Sequence, residues 1–234
     1  MKRIVVTFLL VWAWAGAFAQ SEEVKEKVNK AKDRFVFEFN INQAVREKEN
    51  GFDLKGFYGG FATYFMYDVV IRESPISIAP GIGVAVEGYK HNSQLMINDS
   101  ATVFMPFNDT ISYKKSKLGL TYIDIPLELR YRSKPNKNNW QWKMAVGFKI
   151  GFNVASKWKY VGDEFRGVRQ DTDVTVKFKE HRIPNIERFR YGVTARGGFG
   201  PFNLHFYYSL SEIFEADKGP SIQPITFGIS INGL

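Results

Sequence analysis

Apolar and polar residues take turns along most of this chain. Phe35, Phe37, Phe39 and Ile41 alternate with Val36, Glu38, Asn40 and Asn42, the period of a strand with one apolar face. A second stretch, residues 56–70, sets Phe61, Thr63, Phe65, Tyr67 and Val69 on one side, with Tyr64 and Met66 opposite. In a third, Ile76, Ile78, Pro80, Ile82, Val84 and Val86 face away from Ser77, Ala79, Gly81, Gly83, Ala85 and Glu87. The fourth has the cleanest period: Ile123, Ile125, Leu127, Leu129 and Tyr131 against Asp124, Pro126, Glu128, Arg130 and Arg132. The remaining four run from Trp142 to Val154, Phe189 to Arg196, Asn203 to Leu210 and Ile225 to Asn232. The pattern predicts eight strands.

Connections between them alternate in length. Segments 72–75, 133–138 and 199–202 are short, whereas 44–53, 92–117, 157–186 and 213–221 are longer. That is the signature of an up-and-down barrel whose two ends face different compartments, and an even strand count puts both termini on the short-turn side. Within 92–117, SATVFMPF and TISYKK around Pro106 suggest a projecting hairpin, and the alternating VTVKFK within 157–186 suggests a hairpin extended beyond the barrel.

The first nineteen residues differ. Lys2 and Arg3 precede an apolar run that ends at Ala17-Phe18-Ala19 before the polar Gln20-Ser21-Glu22, the layout of a secretory signal with a small-x-small cleavage site. The run is shorter than the roughly 20 residues of a spanning helix. Val24, Val28 and Ala31 then recur at helical spacing among charges. The expected organisation is a signal peptide over 1–19, a short helical arm over 20–33 and a β-barrel over 34–234.

Composition narrows the chemistry. With no cysteine, disulfides, thiolate catalysis and zinc-finger sites are excluded. His91, His181 and His205 lie far apart in sequence without metal-ligand spacing. Without Lys2 and Arg3 the chain holds 30 basic against 24 acidic residues, a net of +6. On an exported protein this moderate excess suits anionic headgroups, polysaccharide or an acidic protein, and no basic helix or stacking platform points to nucleic acid.

Alternation leaves two barrels open. A soluble, lipocalin-like barrel turns its apolar face inward, and a membrane barrel turns it toward lipid. Small residues and charges of both signs on the polar face favour lipid, as do the strand lengths and aromatics near strand ends (Trp140, Trp142, Trp158, Tyr160, Tyr208, Phe214). Magnitude decides the register of the fourth strand. Arg130 and Arg132 would cost about 2–4 kcal/mol each facing lipid near mid-membrane, but turned inward they can pair with Glu128, Asp124, Glu38 or Glu87. The predicted fold is all-β: an eight-stranded antiparallel up-and-down transmembrane β-barrel with a short N-terminal helical arm.

LTYIDIPLELRYR (residues 120–132), the following polar turn and GFKIGF (147–152) resemble the PorT-like outer-membrane β-barrel family of Bacteroidota, as do Ala19-Gln20 and APGIGVAV (79–86). The resemblance covers most of the mature chain and is architectural. It implies an integral barrel in the outer membrane of a diderm bacterium, in a family some of whose members are associated with type IX protein secretion. The chain departs from a common outer-membrane ending, closing on Ile231-Asn232-Gly233-Leu234 rather than on an aromatic residue.

The candidate site is a lumen charge network of Glu38, Glu87, Asp124, Glu128, Arg130, Arg132, Lys143, Lys149, Arg190 and Arg196. An eight-stranded barrel has an interior just wide enough for its own side chains, so these charges are expected to fill it as paired groups rather than line a channel. His205, Ser209 and Asp124 could be imagined as a hydrolytic triad, but their spacing does not establish the contacts one needs. His91 and His181 are expected to be solvated. Asp171 and Asp173 lack the glycine and distal glutamate of a calcium loop, while Asp99-Ser100-Ala101 and Asp109-Thr110-Ile111 look like short O-glycosylation sequons. No catalytic, cofactor or metal site is expected. Expected partners are outer-membrane lipid and lipopolysaccharide together with envelope proteins. Three functions stay open: a structural or accessory subunit of an envelope assembly, secretion among them; a small barrel that binds or modifies lipid or lipopolysaccharide; and a stabilising or adhesion protein with no dedicated machinery.

Overall fold

In the computed structural model, residues 34–46, 53–54, 56–72, 74–97, 101–138, 140–165 and 174–232 are described. The expected signal peptide and helical arm lie outside them. Among the described residues twelve strands form: β1 (Phe35–Arg46), β2 (Tyr58–Met66), β3 (Val69–Val70), β4 (Ile76–Lys90), β5 (Ser93–Ile97), β6 (Thr102–Pro106), β7 (Tyr113–Arg132), β8 (Trp142–Asp163), β9 (Thr175–His181), β10 (Phe189–Phe199), β11 (Phe202–Ser209) and β12 (Ile222–Asn232). Eight of them close a ring in the order β1-β2-β4-β7-β8-β10-β11-β12, each antiparallel to its neighbours, with β12 returning to β1 from Val36↔Asn232 to Arg46↔Ile222. The fold is the all-β, eight-stranded antiparallel barrel that the alternation predicts.

The apolar set faces outward. Ile123, Ile125, Leu127, Leu129 and Tyr131 on β7 are exposed, Leu127 by 51%, as are the alternate residues Trp142 to Val154 on β8 and Ile76 to Val86 on β4. Asp124, Glu128 and Arg130, between them on β7, are at most 4% exposed. A soluble barrel would show the reverse, so the lipocalin-like alternative falls.

Glycines on the inner face make room for large neighbours. A Cβ on Gly83 would lie 2.2 Å from the Thr63 carbonyl oxygen and 2.3 Å from the Tyr64 ring, and one on Gly151 would lie 2.2 Å from an Asp124 carboxylate oxygen. Small positions on one strand are thus filled by long polar side chains from the next, as dense packing of a narrow barrel requires.

The two long connections are shorter than expected because β7 and β8 run on past the lipid-facing belt. Sequence alternation ends at Val154 and Ile123, but the strands continue to Asp163 and Tyr113. The cause is a bulge: Thr121 pairs with Ala155 and Tyr122 with Asn153, which leaves Val154 as an extra residue. Beyond it the facing of β8 inverts, so Ser156, Trp158 and Tyr160 point inward. Trp158 and Tyr160 are fully buried and Phe214 nearly so, which corrects their expected place in an interfacial girdle. Trp140 and Trp142 do lie exposed at the short-turn rim, where both contact Phe199.

Above the belt, β9 pairs with β8 from Lys157↔His181 to Asp163↔Thr175. The expected hairpin in 92–117 forms as β5 with β6, while TISYKK leads into β7 instead of serving as its second arm. These elements enclose a second core. Tyr89, Leu95, Phe104, Leu118, Leu120, Trp158, Tyr160, Ile186, Phe214 and Ile222 are among its buried members, with Phe107 and Phe178 packed against them. His91 also belongs here, 1% exposed, with its ring 5.1 Å from Phe104 and 6.5 Å from Trp158. The expectation that it is solvated is overturned, because the hairpin folds back over the barrel mouth; His181 is exposed on β9.

Candidate functional site

Below this apolar cap the barrel interior changes character. The same inward positions of β7 that carry Leu118, Leu120 and Tyr122 near the cap carry Asp124, Glu128 and Arg130 further down. Lumen charges gather in two groups.

The upper group centres on Arg190 of β10. Its Nη2 donates to Asp124 Oδ2 at 2.7 Å and its Nη1 to Glu87 Oε1 at 2.5 Å. The guanidinium stacks on Tyr122, 3.7 Å from ring centroid to Cζ. Lys149 approaches Asp124 at 3.5 Å and sits 3.9 Å over the Tyr207 ring. Tyr64 donates to Asp124 at 2.9 Å and Tyr89 to Glu87 at 2.8 Å. Each carboxylate therefore accepts several hydrogen bonds, the condition under which a buried ion pair is tolerated.

The lower group joins Arg196 to Glu38 and Glu128, both at 3.0 Å, Arg130 to Glu128 at 2.8 Å and to Asp68 at 3.0 Å, and Arg132 to Asp68 at 2.6 Å. Five carboxylates (Glu38, Asp68, Glu87, Asp124, Glu128) thus meet five cations (Arg130, Arg132, Lys149, Arg190, Arg196). The two groups balance in charge. Lys143 is half-buried at the short-turn mouth, beside Arg130, Arg132 and Asn203.

Asp68 is the member that the sequence reading lacks. It lies between Tyr67 and Val69, both assigned outward, so the alternation already turned it inward. The lumen tyrosines Tyr122 and Tyr207 are missing from that reading too; their polar use shows only once the cations above them are placed.

Little space is left. A void lined by Glu38, Tyr64, Lys149, Arg196, His205 and Tyr207 amounts to about 10 Å³, the room of one water at most. No catalytic arrangement forms from the imagined triad: His205 contacts Asn40 at 2.5 Å and Glu38 at 3.9 Å, Ser209 bonds to Ser211, and Asp124 is engaged by Arg190. Among the described residues no three acidic or histidine side chains converge as metal ligands. Asp171, Asp173, Asp99 and Ser100 lie outside the described residues, and Thr110 is exposed.

Residues 18–215 match the family profile described as Outer membrane protein beta-barrel domain. The chain matches no curated protein sequence. Among solved structures, Ail, the attachment invasion locus protein of Yersinia pestis, crystallised in complex with the heparin analogue sucrose octasulfate, is similar at 11% identity and a TM-score of 0.36, over 85% of this chain and 94% of that one.

Proposed function

Since the chain belongs to the Outer membrane protein beta-barrel domain family, we propose that it is a non-enzymatic barrel that passes no solute and works through protein contacts as a structural or accessory subunit of an envelope assembly. The family places it in the bacterial outer membrane. Its lumen, filled by matched charges and closed by an apolar cap, carries this reading: a plugged eight-stranded barrel has only its surfaces left to act with.

Both termini and the short turns face the periplasm in this reading, and the capped end with β5, β6 and β9 faces outward from the cell, following the usual disposition of short turns and long loops. A place in protein secretion of the type IX kind rests on the PorT-like resemblance alone.

Affinity purification from detergent-solubilised membranes tests the proposal, with a reproducible stoichiometric protein partner as the expected result. Purification of the barrel alone across several mild detergents would overturn it. Planar-bilayer recording should show no steady conductance, and a stable open channel would remove its premise.

A further inference from the structure

Above the lipid-facing belt, the outward face of the projecting sheet carries lysines in register. Lys90 on β4 pairs with Lys117 on β7, Lys117 with Lys159 on β8, and Lys159 with Lys179 on β9. Four ammonium groups therefore start from directly opposed positions across four neighbouring strands. Lys157 lies one step below this row and Lys177 one step above it. The other faces of the same strands hold the cap core: Leu118, Trp158, Tyr160 and Phe178. Like charges directly opposite one another destabilise a sheet, and among the described residues none of these lysines is ion-paired to a carboxylate. Asp163, on the outward side at the top of β8, is turned onto the Ser112 N–H at 2.7 Å.

The row has a built floor. Lys157 lies along Gly119, where a Cβ would come within 3.0 Å of its Cε. The Tyr58 ring packs against Gly88, where a Cβ would come within 2.4 Å of its Cδ1, and Lys117 both stands 4.2 Å from the centre of the Tyr58 ring and donates to its hydroxyl. An aromatic face beside a line of ammonium groups suits a ligand that is part sugar and part phosphate.

Height selects the source. Lys157 and Lys159 follow Val154, an exposed residue of the belt, by three and five positions. At about 3.3 Å per residue and a tilt near 40° they stand roughly 8 and 13 Å beyond it, on the wall that the lipid itself surrounds. We propose that this lysine row is a binding site for the phosphorylated saccharide headgroup of the outer-leaflet glycolipid. The site rests on the outward orientation of the capped end, and is otherwise independent of any protein partner.

The test is native mass spectrometry of the full barrel in zwitterionic detergent with added bisphosphorylated lipid A. Wild type should retain it, and should retain the dephosphorylated lipid far less. The variant K117Q/K159Q/K179Q should weaken retention by at least about tenfold, while its heat-modifiable transition without lipid stays level or rises because repulsion is relieved. K117R/K159R/K179R should keep retention, and Lys179→Gln alone, on the edge strand, gives an intermediate loss if the triple variant fails to fold. Equal retention of both lipids, equal retention by wild type and a folded Gln variant, or preference for a soluble polyanion over lipid A would overturn the site. Labelling of a cysteine placed at 179 on intact cells reports the orientation separately, so a misplaced end is distinguished from an absent site.

Discussion

Arg190 and Asp124 meet side by side in the barrel interior, the guanidinium donating from Nε to Oδ1 at 3.1 Å and from Nη2 to Oδ1 at 2.9 Å and Oδ2 at 2.7 Å. They come from β10 and β7, which share no edge; β8 runs between them with Gly151 under the contact. The pair therefore spans the lumen wall across an intervening strand, and glycine is what lets it do so.

Removing the cation should be harsh. Arg190→Met leaves Glu87 and Asp124 without their main partner and is expected to lower the unfolding free energy by about 3–5 kcal/mol, read from urea titration of vesicle-inserted protein. Adding Glu87→Gln and Asp124→Asn should recover much of that loss, because neutral amides need no counter-charge.

Gly151→Val should disturb the same place from beneath. Its side chain would enter the space of the Asp124 carboxylate, and overpacking of this kind is expected to cost about 1–3 kcal/mol. Gly197→Val is the control, since a Cβ there meets nothing within 4 Å; heat-modifiable gel migration compares the two.

The two faces of β7 should respond oppositely to charge. Leu127→Arg puts a cation into hydrocarbon, at about 2–4 kcal/mol near the midplane. In single-cysteine variants, positions 125, 127 and 129 should react with lipid-soluble maleimides, and positions 128 and 130 should be protected from them.

Acid should loosen the cap. Burial among Phe104 and Trp158 holds the His91 imidazole neutral until about pH 3, against an ordinary 6.5. Between those values an opened cap binds a proton that the closed one does not. Its full stabilising effect is present above pH 6.5 and declines as the pH falls toward 3, by at most about 1.4 kcal/mol per unit. Limited proteolysis of the capped end should therefore accelerate on acidification, and His91→Phe should flatten that dependence.

The eight ring strands were legible because lipid on one side and a polar lumen on the other impose a strict two-residue period, clearest from Ile123 to Arg132. The charge positions follow from it, since an arginine such as Arg130 has one tolerable direction. Asp68 was readable by the same parity but sits where β2 breaks before β3. The projecting hairpins of the cap were legible, as β5 with β6 and β9 against β8, but its buried core was not: the extra residue at Val154 inverts the facing of β8, so Trp158 and Tyr160 look interfacial by position although they are interior by geometry. His91 reads as a loop residue until β5 and β6 are folded over it.

That same inserted residue marks a seam. Below it, side chains answer to hydrocarbon and must keep their parity through every change; above it, they answer to water and to one another. Evolution or an engineer can therefore trade the whole upper storey for another, lengthening or replacing it, while the anchor beneath is left untouched. Deleting Val154 would erase the seam without moving the storey above it, because Asn153 and Ala155 would then follow one another opposite Tyr122 and Thr121 and the lysines of β8 would keep their outward side.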